Sequence, residues 1–149
     1  MVDSLHHQLK KWKKGTHPRL VIIKGNGEKA FCAGGDIVSI YKAKVEGIHP
    51  ETTRNFFGQE YIVDNALATM DAVQISLWNG IVMGGGVGVS AHAPIRIATN
   101  NTVYAMPETG IGFFCDVGGS YFLPRIHDNI SSGLYLGITG HRLKGQEVL

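Results

Sequence analysis

Hydrophobic residues recur along the chain with two spacings, which predict helices and strands in alternation. Apolar positions at helical spacing predict a helix from Leu5 that ends at Gly15, a second over 36–45 and a long third over 51–70. Short β-branched runs bounded by turn residues predict strands. The predicted strands are 20–23, which is expected to be buried, 73–77, 95–98 and 102–105. Further helical segments end at about His92 and at Leu123, or cover 131–136 and 144–149. This alternation is typical of an α/β fold.

Two glycine-rich runs each follow a predicted strand and open a predicted helix. The first is KAFCAGGD at residues 29–36, and the second is MGGGVGVS at residues 83–90. Adjacent glycines lose much backbone entropy on folding, which destabilises the protein. Their presence therefore indicates that a backbone without side chains is needed here, so that its N–H groups can approach a ligand closely. Amides at the start of a helix are free to face a ligand. Two such donors, at Gly35 and Gly85, predict an oxyanion hole.

Two carboxylates lie on predicted loops and are candidates for the chemistry. Glu108 follows Met106-Pro107, which fixes its direction of approach, and Asp116 precedes a Val-Gly-Gly turn. Rigid loops aim side chains into clefts more often than solvated helix faces do. For Asp116, a helix N-cap is an equally good interpretation. Glu60 lies on the long helix, where composition alone favours a solvated face.

The sequence does not fit a dinucleotide or phosphate-loop site, a serine nucleophile or a metal centre. The second run lacks the G-x-G-x-x-G spacing and the later acidic residue of a dinucleotide site, and it has no phosphate-loop lysine. The segment GVSAH at 88–92 is similar to a nucleophile elbow, but His replaces the last glycine and a helix is predicted there. The histidines are too scattered to indicate a metal centre.

Composition indicates one globular domain over residues 1–149, with 47–50 as the clearest internal linker. Apolar residues make up 44% of the chain, and the longest apolar runs are too short to cross a membrane. The first 19 residues carry five basic and one acidic residue, although the whole chain has a net charge of only +2. This local basic character indicates either a solvated helix face or a surface for anionic groups.

Cys32 and Cys115 form no metal or disulfide pattern, and they are interpreted as free thiols of a reducing compartment. The first residues contain neither a signal-peptide core nor a transit segment. The sequence therefore predicts either a cytosolic protein or one whose leader lies outside this chain.

Four motifs together resemble the crotonase (enoyl-CoA hydratase/isomerase) superfamily over nearly the whole chain. They are AFCAGGD at 30–36, NGIVMGGGVGVS at 79–90, and the pair AMPET at 105–109 with DVGGSYFL at 116–123. The resemblance implies a crotonase-like α/β superhelix of ββα units. It also implies that the family's first strands and last helices are missing here, so that the chain is a partial acyl-CoA-binding catalytic domain, truncated at both ends.

The resemblance also implies a role for each candidate residue. Gly35 and Gly85 match the amides that hold the thioester oxygen. Glu108 matches a catalytic glutamate and Asp116 a catalytic aspartate, and both also contact substrate. Glu60, in Gln59-Glu60-Tyr61, matches a substrate-contacting glutamate. The resemblance therefore favours a functional role for Glu60, whereas composition alone favours a solvated helix face.

One position separates the reactions of this superfamily. Gly88 stands where its hydratases carry a catalytic glutamate, so one half of the acid/base pair that adds water to a double bond is missing. The resemblance then implies hydrolysis of the thioester of 3-hydroxyisobutyryl-CoA, or of a similar short 3-hydroxyacyl-CoA, in valine breakdown. Cys115 departs from the pattern, since the hydrolases usually have Pro before the aspartate.

Two alternatives remain open at this stage: an enoyl-CoA isomerase that uses Glu108 alone, and a non-catalytic homologue of the kind found in mitochondrial ribosomes. For the hydrolase, the resemblance implies no metal or redox cofactor, with CoA entering as part of the substrate. It implies an acyl-CoA substrate as the partner, with no direct binding to nucleic acid and no association with a membrane. It also implies a mitochondrial location. The oligomeric state stays undetermined.

Overall fold

The computed structural model describes residues 1–15, 17–47, 51–126 and 129–149. The linker predicted at 47–50 lies outside these residues, apart from Gly47. The helices are α1 (Val2–Lys14), α2 (Ile37–Val45), α3 (Glu51–Ala68), α4 (Gly85–Gly88), α5 (Gly119–Phe122) and α6 (Ile130–Thr139). The strands are β1 (Leu20–Lys24), β2 (Ala30–Cys32), β3 (Val73–Trp78), β4 (Ile81–Met83), β5 (Ile95–Ala98), β6 (Val103–Ala105) and β7 (Leu143–Lys144).

The strands form two sheets, and this mixed architecture confirms the predicted α/β class. The first sheet has the order β1-β3-β5, with all strands parallel. The second has the order β2-β4-β6-β7, and its first three strands are parallel while β7 runs antiparallel to β6. The carboxyl ends of parallel strands meet at one edge of a sheet. The segments that follow β2, β4 and β6 therefore begin side by side.

Four sequence predictions need correction. The strands β2, β4 and β7 were not predicted, because runs of two or three residues are too short to show a periodicity. The helix after the second glycine run ends at Gly88 and continues as turns, short of the predicted His92. Residues 145–148 form a 3-10 turn where a longer helix was predicted. Strand β1 is not fully buried, since Leu20 and Ile22 point away from the core while Val21 points into it.

Side-chain caps explain where two helices begin. The Asp36 carboxylate accepts a 3.1 Å hydrogen bond from the amide of Ser39 at the start of α2. The Asn129 side chain accepts a 2.9 Å bond from the Ser131 amide at the start of α6. Such caps satisfy amides that have no partner within the helix.

A buried polar network fixes the second glycine run against β3. The indole N–H of Trp78 donates to the Ser90 hydroxyl at 2.9 Å, and that hydroxyl donates to the Gly86 carbonyl at 2.6 Å. The Gln74 amide donates to the Val89 carbonyl at 3.1 Å. Because these groups are buried, breaking a bond would leave an unpaired polar atom at a cost of about 1–3 kcal/mol. The network therefore gives the glycine run a fixed position.

Candidate active site

The two glycine runs are in direct backbone contact, because β2 and β4 are adjacent parallel strands. A Cβ built on Gly34 would lie 3.4 Å from the Met83 carbonyl oxygen and 3.6 Å from the Gly85 amide nitrogen. Gly84 has a left-handed φ of +51°, which a residue with a side chain adopts only at a cost. A Cβ on Gly86 would overlap the Cys32 carbonyl oxygen, so bare backbone at this position lets the two segments approach closely.

The amides of Gly35 and Gly85 have no hydrogen-bond acceptor within the part of the chain that the structure describes. Gly85 is the first residue of α4, where the helix itself offers its N–H no partner. Gly35 directly follows Gly34, and the ring of Phe56 packs over its Cα. The structure thus brings two unused donors to the same edge of the second sheet.

Two glutamates reach the second glycine run from different elements. Glu60 projects from α3, and its Oε1 occupies the space that a Cβ on Gly85 would need. Glu108 opens a 3-10 turn after β6, and its Oε1 lies 3.1 Å from the position of a Cβ on Gly84. The two carboxyl groups therefore flank adjacent residues of the chain, as a pair of groups acting on one substrate would.

Burial shifts the pKa of both glutamates upward. Glu60 is 5% exposed, and burial, followed by the charges of Asp116 and Glu108, raises its pKa to about 7. For Glu108, burial is again the main cause of a raised pKa, and the hydrogen bond from the Cys115 thiol, 3.5 Å from Oε2, partly opposes it. Glu60, which titrates near neutral pH, can therefore both take up and release protons during a reaction.

Asp116 faces the same site and is held there by Tyr61. The Tyr61 hydroxyl donates a 2.7 Å hydrogen bond to Oδ2 of Asp116. The Asp116 side chain is not a helix N-cap, since α5 begins after Gly118 and has no side-chain cap. Val117 has a φ of +44°, the one left-handed non-glycine backbone within the described ranges. That conformation costs about 1–2 kcal/mol and turns the chain sharply after Asp116.

The structure adds Asp64 to the residues found from the sequence. It lies one helical turn after Glu60, is 5% exposed, and its two oxygens have no hydrogen-bond partner among residues 1–15, 17–47, 51–126 and 129–149. Burial, Glu60 and Asp116 raise its pKa to about 8. A cleft of about 540 Å³ borders it, lined also by Tyr61, His92 and Tyr121. The i, i+4 spacing from Glu60 is the signal in the sequence that points to it.

Within the described ranges, no three His, Cys, Asp or Glu side chains are grouped so that they could hold a metal ion. Cys32 and Cys115 are free thiols there. None of the described helices combines the length and the hydropathy needed to span a bilayer. The lysines of α1 are exposed, in agreement with a solvated helix face.

A family model described as enoyl-CoA hydratase/isomerase matches residues 1–149. The chain belongs to the enoyl-CoA hydratase/isomerase family. Its predicted crotonase fold is thereby confirmed, since solved structures of this family superpose on it closely. An enoyl-CoA hydratase from Rhodobacter sphaeroides 2.4.1 gives a TM-score of 0.87 at 37% identity, with 99% of this chain and 43% of that chain covered. A carnitinyl-CoA dehydratase from Mycobacterium thermoresistibile gives 0.85 at 39% identity, with 97% and 41% covered.

Curated members of the enoyl-CoA hydratase/isomerase family are also similar in sequence. A Danio rerio protein named "3-hydroxyisobutyryl-CoA hydrolase, mitochondrial" is 52% identical over 148 residues, which are 99% of this chain and 38% of that protein. A Dictyostelium discoideum protein of the same name is 54% identical over 134 residues, with 87% and 35% covered. The chain thus spans a little over a third of the length of these relatives.

Proposed function

We propose that residues 1–149 are the acyl-CoA-binding catalytic region of a thioester hydrolase. The substrate is 3-hydroxyisobutyryl-CoA or a similar short 3-hydroxyacyl-CoA. The observation that carries the proposal is the meeting of two free backbone amides with the carboxyls of Glu60, Glu108 and Asp116 at one sheet edge. Support also comes from relatives at about half identity that are named as this hydrolase.

The oxyanion hole is the first part of the mechanism. The thioester carbonyl oxygen accepts hydrogen bonds from the amides of Gly35 and Gly85. Attack at the carbonyl carbon moves negative charge onto that oxygen, and each preorganised donor then stabilises the transition state by about 3–4 kcal/mol. Substitution of the backbone groups themselves is not possible, so a side chain added at Gly85 is the practical probe.

Glu108 supplies the chemistry at the carbonyl carbon. In one route its carboxylate attacks, the C–S bond breaks, CoA leaves as the thiol after protonation, and water then hydrolyses the mixed anhydride. In the other route Glu108 removes a proton from a water molecule that attacks directly. Label found on Glu108 after a single turnover in ¹⁸O-water would establish the anhydride route, because the general-base route leaves the Glu108 oxygens unexchanged.

Asp116 and Glu60 orient the remaining groups. Asp116, fixed by the Tyr61 hydroxyl, directs the attacking water and exchanges protons with Glu108. Glu60 in its ionised form accepts a hydrogen bond from the 3-hydroxyl of the acyl group. Gly88 offers no acid or base, so the groups present favour hydrolysis over the addition of water to a double bond.

The wider properties belong to the same proposal. CoA enters as part of the substrate, and the residues proposed for catalysis need no metal or redox group. The reaction serves valine breakdown in mitochondria, the compartment that the names of the relatives give.

Release of free thiol from 3-hydroxyisobutyryl-CoA by the 149-residue chain tests this function. We expect thiol release that the Glu108→Gln variant abolishes. Migration of a double bond in an enoyl-CoA without thiol release would favour an isomerase and contradict the proposal. Co-sedimentation with mitochondrial ribosomes, unaffected by Glu108→Gln, would contradict it in favour of a non-catalytic role.

A further inference from the structure

Asp64 is a buried acid that the mechanism above does not use. Its side chain is 5% exposed, and neither carboxyl oxygen has a hydrogen-bond partner in the described part of the chain. An ionised carboxylate loses its water shell in such surroundings and gains no bond in return. Protonation removes most of this cost, because a neutral carboxyl is much less strongly hydrated.

The position of Asp64 connects it to the candidate active site. It follows Glu60 by one turn of α3, so the two carboxyls leave the same face of the helix. On its other side, Oδ2 lies 3.0 Å from the position of a Cβ on Gly88, and the Val117 side chain closes the same space. A cleft lined by Tyr61 and His92 also borders Asp64.

The charges that act on Asp64 within the described residues are those of carboxylates. Glu60 on the same helix and Asp116 on the loop before α5 add to the effect of burial on its pKa. Tyr61 and Cys32 each have a pKa that is raised chiefly by burial, with Asp64 among the smaller causes. His92, across the cleft, has a pKa that burial lowers. No neighbour in this set favours an ionised Asp64 at neutral pH.

We propose that Asp64 is a positioning residue that holds a proton behind the substrate-facing carboxylates, so that Glu60 carries the negative charge of the pair. The inference rests on the proposed hydrolase function, since Asp64 acts through Glu60. Both oxygens of Asp64 are fully buried without a hydrogen-bond partner, and neither oxygen of Glu60 is in that state in the described part of the chain, so the proton is better placed on Asp64. Burial accordingly raises the pKa of Asp64 to about 8 and that of Glu60 to about 7. Ionised Glu60 then accepts the substrate hydroxyl while Asp64 adds no charge.

Loss of this proton works against the reaction. A second buried anion beside Glu60 and Asp116 repels the negative charge that develops on the thioester oxygen, and it raises the free energy of the transition state. Activity therefore falls at high pH as Asp64 ionises, and it falls at low pH as Glu60 takes up a proton. The two limbs of the pH profile belong to two different residues.

The test compares pH profiles of kcat/KM for the unmodified chain and for Asp64→Asn, which keeps the size of the side chain but cannot ionise. The exposed variant Asp71→Asn is the matched control. We expect the unmodified chain and the control to lose about tenfold in kcat/KM between pH 7 and pH 9. In Asp64→Asn this alkaline loss disappears and the acid limb remains. Parallel alkaline limbs in all three proteins would overturn the proposal.

A second measurement does not depend on activity. The pKa of Asp64 is higher in the folded chain than its ordinary value of 3.8, so the folded state binds more protons and stability falls as pH rises from about 4 to 8. Asp64→Asn lacks this loss. The Tm of the variant minus the Tm of the unmodified chain should therefore increase from pH 5 to pH 8. A constant difference in Tm would contradict the proposal.

The two measurements also separate this inference from the proposed function. If no variant releases thiol at any pH, the hydrolase function fails, while the Tm difference still shows where the proton lies. Should Asp64→Asn not fold, infrared spectra of the double variant Glu60→Gln, Glu108→Gln carry the test, because Asp64 is then the remaining carboxyl of the described residues whose pKa burial raises. A protonated carboxyl band that persists at pH 7 and disappears above pH 8 supports the proposal, and its absence at pH 7 overturns it.

Discussion

The Tyr61 hydroxyl donates a 2.7 Å hydrogen bond to Oδ2 of Asp116, and this contact joins α3 to the loop that follows Glu108. The two residues are far apart in the sequence, since Tyr61 lies on α3 and Asp116 on the loop before α5. Burial and this bond raise the pKa of the Tyr61 phenol well above its ordinary value, so it remains a donor throughout the neutral range. The contact therefore orients Asp116 without adding a charge.

Tyr61→Phe tests this orientation. We expect a five- to tenfold loss in kcat/KM, because a hydrogen bond to a charged group is worth about 1.5–3 kcal/mol and solvent replaces part of it. Steady-state hydrolysis measures the effect, with Tyr41→Phe on the exposed face of α2 as control. In the background of Asp116→Asn the same substitution should have a much smaller effect. Additive losses in the double variant would contradict a role through Asp116.

Glu108→Gln should lower kcat by about 10²–10⁴-fold, since the amide can neither attack nor accept a proton. The fold should persist, because Gln has nearly the same volume as Glu and burial already favours the uncharged form of this residue. Thiol release and circular dichroism check the two expectations, with exposed Glu28→Gln as control. An equal loss of activity in both variants would point to unfolding instead of chemistry.

Gly85→Ala should disrupt the site through a steric clash. Its new methyl group would overlap Oε1 of Glu60, so this carboxyl, at the flexible end of its side chain, must move away from the glycine run. Because the side chain can swing aside, the free energy of unfolding should fall by less than the roughly 1–3 kcal/mol of overpacking against fixed atoms, while thiol release should drop. The matched control is Gly58→Ala on α3, where a Cβ meets no atom within 4 Å. That variant should gain about 0.5–1 kcal/mol from its better helix propensity.

Chemical denaturation of both alanine variants measures this contrast. The Gly85 variant should unfold at a lower denaturant concentration than the unmodified chain, and the Gly58 variant at a higher one. Thiol release by the Gly85 variant at the rate of the unmodified chain would mean that Glu60 does not lie against the glycine run.

Glu60→Gln should change how stability depends on pH. Folding raises the pKa of Glu60 from 4.5 to about 7, so the folded chain holds a proton that the unfolded chain releases. The stability that this proton provides is fully present below about pH 4.5 and is lost as pH rises to about 7. Gln does not titrate, so the Tm of the variant relative to the unmodified chain should rise between these values and then level off.

Glu28→Gln, at an exposed site, supplies the baseline for that comparison. Its Tm should follow the Tm of the unmodified chain at every pH. If Glu60→Gln also follows it, the Glu60 carboxyl is not buried in the folded protein.

The glycine runs could be predicted from the sequence because adjacent glycines have few other uses. The strands that bring them together could not, since β2 and β4 contain only three residues each and show no periodicity. Their parallel pairing creates the contact between Gly34 and Gly85. The roles of Gly35, Gly85, Glu60, Glu108 and Asp116 stay predictions that the experiments above address.

Asp64 and Tyr61 were harder to find, for a physical reason. An acid or a tyrosine on a long helix is usually solvated, and α3 has only a weak apolar stripe to show which face is buried. The groups that act on these two residues come from the loop near Asp116 and from the second glycine run, both distant in the sequence. Only the tertiary fold reveals that an acid has been placed where it lacks a partner.

The backbone contact between Gly34 and Gly85 also limits how this protein can change. Gly34 has a φ of +99°, which a residue with a side chain adopts only under strain, and a side chain at Gly85 would displace the Glu60 carboxyl. The first substitution at either site is therefore harmful on its own, and a second one in the partner run cannot rescue it cheaply. We therefore expect both glycines to be retained as the sequence evolves.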